Sequence, residues 1–276
     1  MKRVVFWQGG VSPFRNRFMR WLVVPVLGLV LAFASGCRTV PFTGRHQLML
    51  SSANYENQLG LDGYNQFKEK YQRSRNEQYN QALAHVGSAL KRVAEQDEFQ
   101  WEFIVLETEE QNAFCLPGGK VAVLSGIMSL MENEAELACV VGHEIAHAIA
   151  RHSGERLSWG YLQTLGLLGL SIANDTAGAV FGIGSELGVM LPFSRQNESE
   201  ADYIGLLLMA KAGYDPSAAI SFWRKFGDGS HGLTDFLSTH PNGDKRIADL
   251  QKALPEAQKF YNRAKVQHGL GDSLAH

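Results

Sequence analysis

The segment over residues 136–156 places metal-binding side chains inside a strongly apolar run. It reads ELACVVGHEIAHAIARHSGER, and because apolar residues surround its helical axis on nearly all sides, it predicts a buried helix. His143 and His147 are four residues apart, so both imidazoles leave one face of that helix and can share one ion, with Glu144 beside them. Burying such groups without partners costs roughly 1–3 kcal/mol each. A bound metal removes that cost for the two histidines, and zinc accepts neutral imidazole nitrogens well.

The downstream segment SRQNESEAD supplies carboxylates for a third ligand. A catalytic zinc ion uses three protein ligands, and the candidates are Glu198, Glu200 and Asp202. Glu198 and Asp202 share a helical face, whereas Glu200 points elsewhere. One of the first two can bind zinc while the other hydrogen-bonds a ligand imidazole. The alternative is a solvated acidic start of a helix.

The first 36 residues are predicted to be a signal peptide. Basic residues precede the apolar run WLVVPVLGLVLAFASGC, which begins at Trp21 and is shorter than the roughly 20 residues of a membrane-spanning helix. Its end resembles the bacterial lipoprotein signal, in which the chain is cut before a cysteine that is then acylated. By this resemblance Cys37 carries the lipid. The expected location is the bacterial periplasm on a lipid anchor, with Arg38 favouring the outer membrane and an uncleaved anchor helix as the alternative.

The rest of the chain predicts one folded domain over residues 54–265, after a tether over 37–53 and before a loose tail over 266–276. The predicted fold class is α+β, mostly helical. Periodicity and caps predict helices at 55–72, 77–94, from 134 through the HExxH segment, from 197 to near 213, 217–226 and 244–264, strands at 99–108 and 120–126, and a loop at 112–119. The Gly-containing apolar residues 159–193 predict two buried or site-covering helices, with a lid that dips into a membrane or holds an apolar substrate as the alternative.

The charge balance of the chain bears on its partners, and its cysteines bear on a possible disulfide. The chain has 26 basic and 28 acidic side chains and no long block of one sign, so nucleic acid is excluded as an expected partner. Cys115 and Cys139 form a candidate disulfide if the chain is exported. The alternative is that both are small buried apolar residues.

The segments HEIAH and SRQNESEAD, together with NAFCLPGG, the RH that follows HEIAH, AGYDP and STHP, resemble metallopeptidase family forty-eight, the family of HtpX and the CAAX prenyl endopeptidase. The similarity runs from about residue 43 through 250. It implies a zincin-like fold with a small β-sheet beside the HExxH helix, and one Zn²⁺ per chain held by His143, His147 and Glu198. It also implies Glu144 as the catalytic base and Asp202 as support. The chain lacks the several spanning helices of the membrane-embedded members, so it resembles the periplasmic branch.

Two further sites are predicted around this centre. His240, in STHP, is a candidate catalytic residue that either steadies the tetrahedral oxygen or caps the open zinc position at rest; the alternative is an ordinary loop histidine. Asn112, Gly118 and Gly119 are predicted to shape a sheet edge on which an extended substrate pairs through its main chain. An ordinary hairpin connection is the alternative for them.

These features predict a zinc endopeptidase that hydrolyses unfolded or misassembled envelope proteins through a metal-activated water, with Glu144 as general base. A first alternative is an envelope chaperone or assembly lipoprotein with a structural or latent zinc site, marked by a closed coordination sphere. A second is a metallohydrolase that acts on a non-peptide bond.

Overall fold

The structure, a computed structural model, describes residues 37–171, 194–226, 234–240 and 245–274 of the 276-residue chain. The predicted signal peptide and residues 172–193 of the apolar region lie outside these ranges. In chain order the described elements are β1 (Cys37–Thr39), β2 (His46–Leu48), α1 (Ala53–Lys70), α2 (Glu77–Ala94), β3 (Glu102–Leu106), β4 (Ala113–Leu116), β5 (Lys120–Leu124), α3 (Ser125–Met128), α4 (Glu134–Ile149), α5 (His152–Ser171), α6 (Arg195–Lys211), α7 (Ser217–Phe226), α8 (Thr234–Thr239) and α9 (Arg246–Tyr261).

The predicted fold class, mostly helical with a small sheet beside the HExxH helix, is confirmed. α2 and α7 have the predicted bounds. α4 begins after Asn133, whose side chain accepts the backbone N–H of Glu136 and so satisfies one of the free donors of the first turn. Glu134 and Glu136 lie in that turn, where the helix dipole favours negative charge.

A three-stranded sheet in the order β3-β5-β4 lies against α4. β5 pairs parallel with β3 and antiparallel with β4. The predicted loop at 112–119 is therefore wrong for residues 113–116, which are all buried and form β4. Pairing with β5 satisfies their backbone groups, which makes this burial favourable. The turn that follows β4 does lie outside the strands, as predicted. In it Gly118 and Gly119 have φ values of +84° and +82°, which glycine adopts without steric cost.

α4 lies at the centre of the domain. All of its residues are buried, and it packs against α2, α6, α7 and β4. It crosses α6 at Gly142 and Gly205, where a Cβ on Gly205 would lie 2.8 Å from the backbone nitrogen of His143. A larger residue there would push the close-packed helices apart. The crossing therefore holds the two histidines of α4 beside the acidic face of α6.

Residues 37–53, predicted as a tether, fold onto the domain instead. β1 and β2 form an antiparallel hairpin, and Arg45 forms ion pairs with Glu155 of α5 and Glu200 of α6, each at 2.8 Å. The Pro and Gly residues that suggested a linker lie at the turn of this hairpin. The hairpin is thus part of the domain.

Residues 266–274 of the predicted loose tail also pack onto the domain. Gly269 and Ser273 form β-bridges with Tyr214 and Asn133. The backbone N–H of Glu134 donates to the carbonyl of Asp272 at 3.0 Å. The first backbone N–H groups of a helix have no acceptor within that helix. The tail provides carbonyl acceptors for the first N–H groups of α4, and these hydrogen bonds hold residues 266–274 against the domain.

α5 contains the first part of the apolar region 159–193. In the part of the chain that the structure describes, no helix combines the length and the apolar character that a bilayer crossing requires. Both predictions for residues 172–193, site-covering helices and a lid, fall outside the described ranges.

Cys115 of β4 and Cys139 of α4 are both buried, and both are free thiols. The candidate disulfide is therefore not formed in this structure, in line with the alternative of small apolar core residues. Burial raises the pKa of both thiols, which keeps them protonated and unreactive. Cys37 is exposed, and its acylation stays a prediction.

Candidate metal centre

Four buried side chains from three segments converge beside the crossing of α4 and α6. His143 and His147 come from α4, Glu198 comes from α6, and His240 directly follows α8. Their ligand atoms all lie within 4.8 Å of one another. The structure thus brings His240 together with the three side chains predicted as zinc ligands.

The spacing of these atoms suits a tetrahedral metal ion. His143 Nε2 lies 3.1 Å from His147 Nε2, 3.4 Å from Glu198 Oε2 and 3.3 Å from His240 Nδ1. Atoms bonded tetrahedrally to one ion at about 2.0–2.1 Å are separated by about 3.3 Å. Imidazole and carboxylate are also donors that zinc accepts. The residues present therefore fit zinc.

A buried ion-pair network supports the His143 side of the cluster. Asp202 Oδ1 lies 2.9 Å from His143 Nδ1, the position of a carboxylate that orients a ligand imidazole. Arg246 of α9 donates through Nε to Asp202 at 2.6 Å and through Nη2 to Glu198 at 2.9 Å. Its guanidinium lies 4.0 Å from the ring centroid of Trp223. Arg246 therefore fixes both carboxylates of α6 at once.

A second network supports the His147 side. His147 Nδ1 lies 2.9 Å from His152 Nδ1, and His152 Nε2 lies 3.0 Å from Glu200 Oε2. Glu200, one of the three candidate third ligands, therefore contacts His152 and Arg45 rather than the cluster.

Burial and close contacts determine the charges in the cluster. Burial opposes ionisation of Glu198, but hydrogen bonds with His143, His147 and His240 outweigh it and hold the pKa of Glu198 far below its ordinary value. Burial lowers the pKa of His147 well below its ordinary value, so this ring is neutral, as metal binding requires. For His143, burial is outweighed by hydrogen bonds with Asp202 and Glu198, which raise its pKa to about 10. A metal ion must therefore displace a proton from His143.

Glu144 lies next to the cluster without belonging to it. Its Oε1 is 3.5 Å from His240 Nε2. Burial raises the pKa of Glu144, partly opposed by the nearby His240 and His143, which brings the carboxyl closer to the range of an efficient general base. No donor of the described ranges hydrogen-bonds to the buried Oε1, so this oxygen can accept a proton.

Among the described residues, β4 is an edge strand of the sheet and packs against α4, the helix that carries Glu144. The N–H of Leu124 in β5 donates to the Asn112 carbonyl at 3.0 Å. Because the direction of backbone groups alternates along a strand, those of Ala113 and Cys115 face away from β5.

The three residues predicted to shape a substrate edge therefore lie at the two ends of β4. The side chain of Asn112 accepts the N–H of Ala113 at 2.9 Å, and Gly118 and Gly119 form the turn between β4 and β5. Their role toward a substrate stays a prediction.

The amino-acid sequence alone indicates no role for His152 or Arg246, which the structure places in the two supporting networks. The only local signal for His152 is the RH dipeptide after HEIAH. Arg246 has no local signal, because its partners Asp202 and Glu198 precede it by 44 and 48 residues.

Comparison with known proteins gives relatives that are metalloendopeptidases or proteases. The chain is 34% identical over 262 residues to the mitochondrial metalloendopeptidase OMA1 of Schizosaccharomyces pombe, covering 93% of this chain and 78% of that protein. It is 42% identical over 172 residues to the Arabidopsis thaliana OMA1, covering 60% of this chain and 34% of the relative. A beta-barrel assembly-enhancing protease of Escherichia coli is 30% identical over 233 residues, covering 79% of this chain and 47% of the relative. The chain thus spans half or less of the length of the last two relatives.

The predicted location on a bacterial outer membrane is wrong by this comparison. Relatives named as mitochondrial metalloendopeptidases come from fission yeast, Arabidopsis, Saccharomyces, cattle and human. The predicted bacterial location rests on the basic and apolar residues before Cys37. Such leader patterns have several cellular destinations, and the pattern alone does not separate them.

The model of peptidase family M48 matches residues 76–254. This range includes α4, α6 and all four clustered side chains. The predicted enzyme class and cofactor are confirmed by this match and by the metalloendopeptidase relatives. The chain therefore belongs to peptidase family M48 and is a zinc metalloendopeptidase.

Proposed function

We propose that this peptidase cleaves unfolded or misassembled proteins, with Glu144 as general base and with His240 holding the site in a resting state. The observation that carries the proposal is the buried Glu144 carboxylate beside a cluster of histidines and Glu198 whose spacing fits zinc. Asp202 contacts His143, and Arg246 contacts both Asp202 and Glu198, so these two side chains hold the cluster in this geometry.

Zinc held by His143, His147 and Glu198 would supply a Lewis acid that lowers the pKa of a water molecule to about 7 and polarises a peptide carbonyl. Glu144 takes a proton from the attacking water and returns it to the leaving peptide nitrogen. Burial raises the pKa of Glu144 above its ordinary value, which makes the carboxylate a stronger base for the first step. The former carbonyl oxygen becomes negative during the attack, and a metal ion held in the cluster would supply positive charge beside it.

The edge strand β4 supports an extended peptide as substrate. The backbone groups of Cys115 face away from β5 on the strand that packs against α4, whereas the N–H of Ala113 is bonded to the side chain of Asn112. A peptide that adds to such an edge is held through its main chain, with little regard to most side chains. Unfolded segments can extend in this way, whereas folded proteins keep their strands paired. The name of the Escherichia coli relative, a beta-barrel assembly-enhancing protease, supports proteins that fail to assemble as the substrate class.

His240 supports a resting state because it stands where a fourth ligand would be. Its Nδ1 is 3.3 Å from His143 Nε2 and 3.2 Å from Glu198 Oε1, and its ring stacks on Phe236. A catalytic zinc site keeps its fourth position open for water or substrate. The His240 ring therefore has to leave the cluster before Glu144 can act on a water at that position.

Replacing His240 with alanine tests this proposal. If the open state is populated at about 1–10%, the variant should cleave an unfolded test protein about 10–100-fold faster than the parent while keeping its zinc. Chelator should abolish cleavage by both proteins, and added zinc should restore it. Ser238→Ala, on the exposed side of α8, is the matched control and should behave as the parent. A His240→Ala variant that keeps zinc but cleaves more slowly would show that His240 assists and does not inhibit.

The closed set of four side chains also favours a second candidate, a protein that binds client chains through a fold with structural zinc. The same experiment separates the two functions. Under the second candidate neither the parent nor His240→Ala turns over substrate, although both contain zinc and both bind unfolded protein.

A further inference from the structure

A chain of polar contacts leads from His147 to the N-terminal hairpin, away from the cluster. His152 is fully buried. It contacts the Nδ1 of His147 with its own Nδ1 at 2.9 Å and the Oε2 of Glu200 with its Nε2 at 3.0 Å. These two contacts place His152 between a zinc ligand and a carboxylate. None of these three residues, His147, His152 and Glu200, is more than 7% exposed to solvent.

The geometry allows one arrangement of protons along this chain. His147 faces the cluster with Nε2, which lies 3.1 Å from His143 Nε2 and 3.4 Å from Glu198 Oε1. A ring that binds metal through Nε2 carries its proton on Nδ1. His147 then donates to Nδ1 of His152, and His152 donates through Nε2 to Glu200. Each acceptor has a donor, and the orientation of the His147 ring is fixed.

The far end of the chain is held by the hairpin. Arg45 donates through Nε to Glu200 Oε2 at 2.8 Å, and the Thr43 hydroxyl donates to Glu200 Oε1. The two terminal nitrogens of Arg45 donate to the two carboxylate oxygens of Glu155, each at 2.8 Å. A planar guanidinium that pairs with one carboxylate through two parallel bonds has a fixed orientation. Arg45 therefore fixes Glu200 against α5.

We propose that His152 and Glu200 are positioning residues for the zinc ligand His147, and that the N-terminal hairpin completes the metal site by holding Glu200 through Arg45. The inference rests on the metal site of the proposed function and adds a part of the chain that lies more than 90 residues from the HExxH segment. Its consequence is that changes in the hairpin alter zinc affinity, although no hairpin residue reaches the cluster.

Two amide variants of His152 test the relay within the full-length chain. The side-chain oxygen of Asn can occupy the position of Nδ1 and accept from His147, whereas the side chain of Gln reaches the position of Nε2 and leaves His147 without an acceptor. His152→Gln should weaken zinc binding about 10–100-fold, as loss of such support typically does, and His152→Asn should recover most of the affinity. Zinc affinity is measured by competition with a chromophoric chelator. The absorption spectrum of the Co²⁺-loaded protein should change for His152→Gln more than for His152→Asn.

Arg45→Ala tests the hairpin end without altering a buried histidine. Zinc binding should weaken at least about threefold, while Arg38→Ala, an exposed arginine on β1 of the same hairpin, should bind zinc as the wild type does. Thermal melting of the metal-free proteins shows whether each variant folds. If Arg45→Ala and both His152 variants fold and bind zinc with wild-type affinity, the relay is overturned while the metal site stands. A wild-type chain that binds no zinc would overturn the proposed function and the relay together.

Discussion

Glu144→Gln is expected to lower kcat/KM for cleavage of an unfolded protein by about 10²–10⁴-fold, the range that a positioned general base contributes. The amide cannot accept the proton from water, but it has nearly the same size and keeps the packing of the buried site. Glu144 is not one of the four clustered ligand side chains. The variant should therefore contain as much zinc as the wild type.

The measurement is steady-state cleavage of one substrate by both proteins at equal zinc content. Because the resting state slows the parent, the comparison is best repeated in the His240→Ala background. An amide variant that cleaves at the parental rate would remove Glu144 from the mechanism. A variant that loses zinc as well would show that the carboxylate has a ligand role instead.

Arg246→Ala should lower the free energy of unfolding of the metal-free protein by about 3–5 kcal/mol, because it leaves buried carboxylates without their cation. Arg246 is 5% exposed and binds both Asp202 and Glu198. Without the guanidinium, two negative groups lie buried on neighbouring turns of α6. Removing its packing against Trp223 adds to the loss.

Denaturant unfolding of the metal-free variant and wild type measures this difference. Lys252→Ala on the same helix is the matched control, because the Lys252 side chain is 77% exposed and pairs with the half-exposed Asp249; its effect should be below about 0.5 kcal/mol. Equal unfolding curves for Arg246→Ala and the wild type would contradict the role given to this buried network.

The parts of the fold and site that could be predicted from sequence depend on interactions within one helix or turn. The helical spacing of His143 and His147 and the Asn133 cap are local, and the structure has both on α4. Glu198 and Asp202 likewise share a face of α6. Local geometry is enough to place such groups on one side of a helix.

The parts that could not be predicted depend on distant segments or on unusual backbone. Arg246 meets its two carboxylates only after α9 packs on α6. His152 reaches back to His147 because Arg151 adopts a left-handed φ of +54° between α4 and α5, a conformation that side chains other than glycine seldom take. The hairpin around Arg45 and the tail around Ser273 likewise gain their order from partners more than 100 residues away.

The central claim is that one zinc ion is held jointly by the α4 histidines and by Glu198 of α6. Elemental analysis of the purified full-length wild type beside His147→Ala and Glu198→Ala tests it without any substrate. We expect about one zinc per wild-type chain and well below half of that in each folded variant, since either change removes one of the three side chains that hold the ion when His240 is out of the cluster. Full zinc content in Glu198→Ala would contradict it.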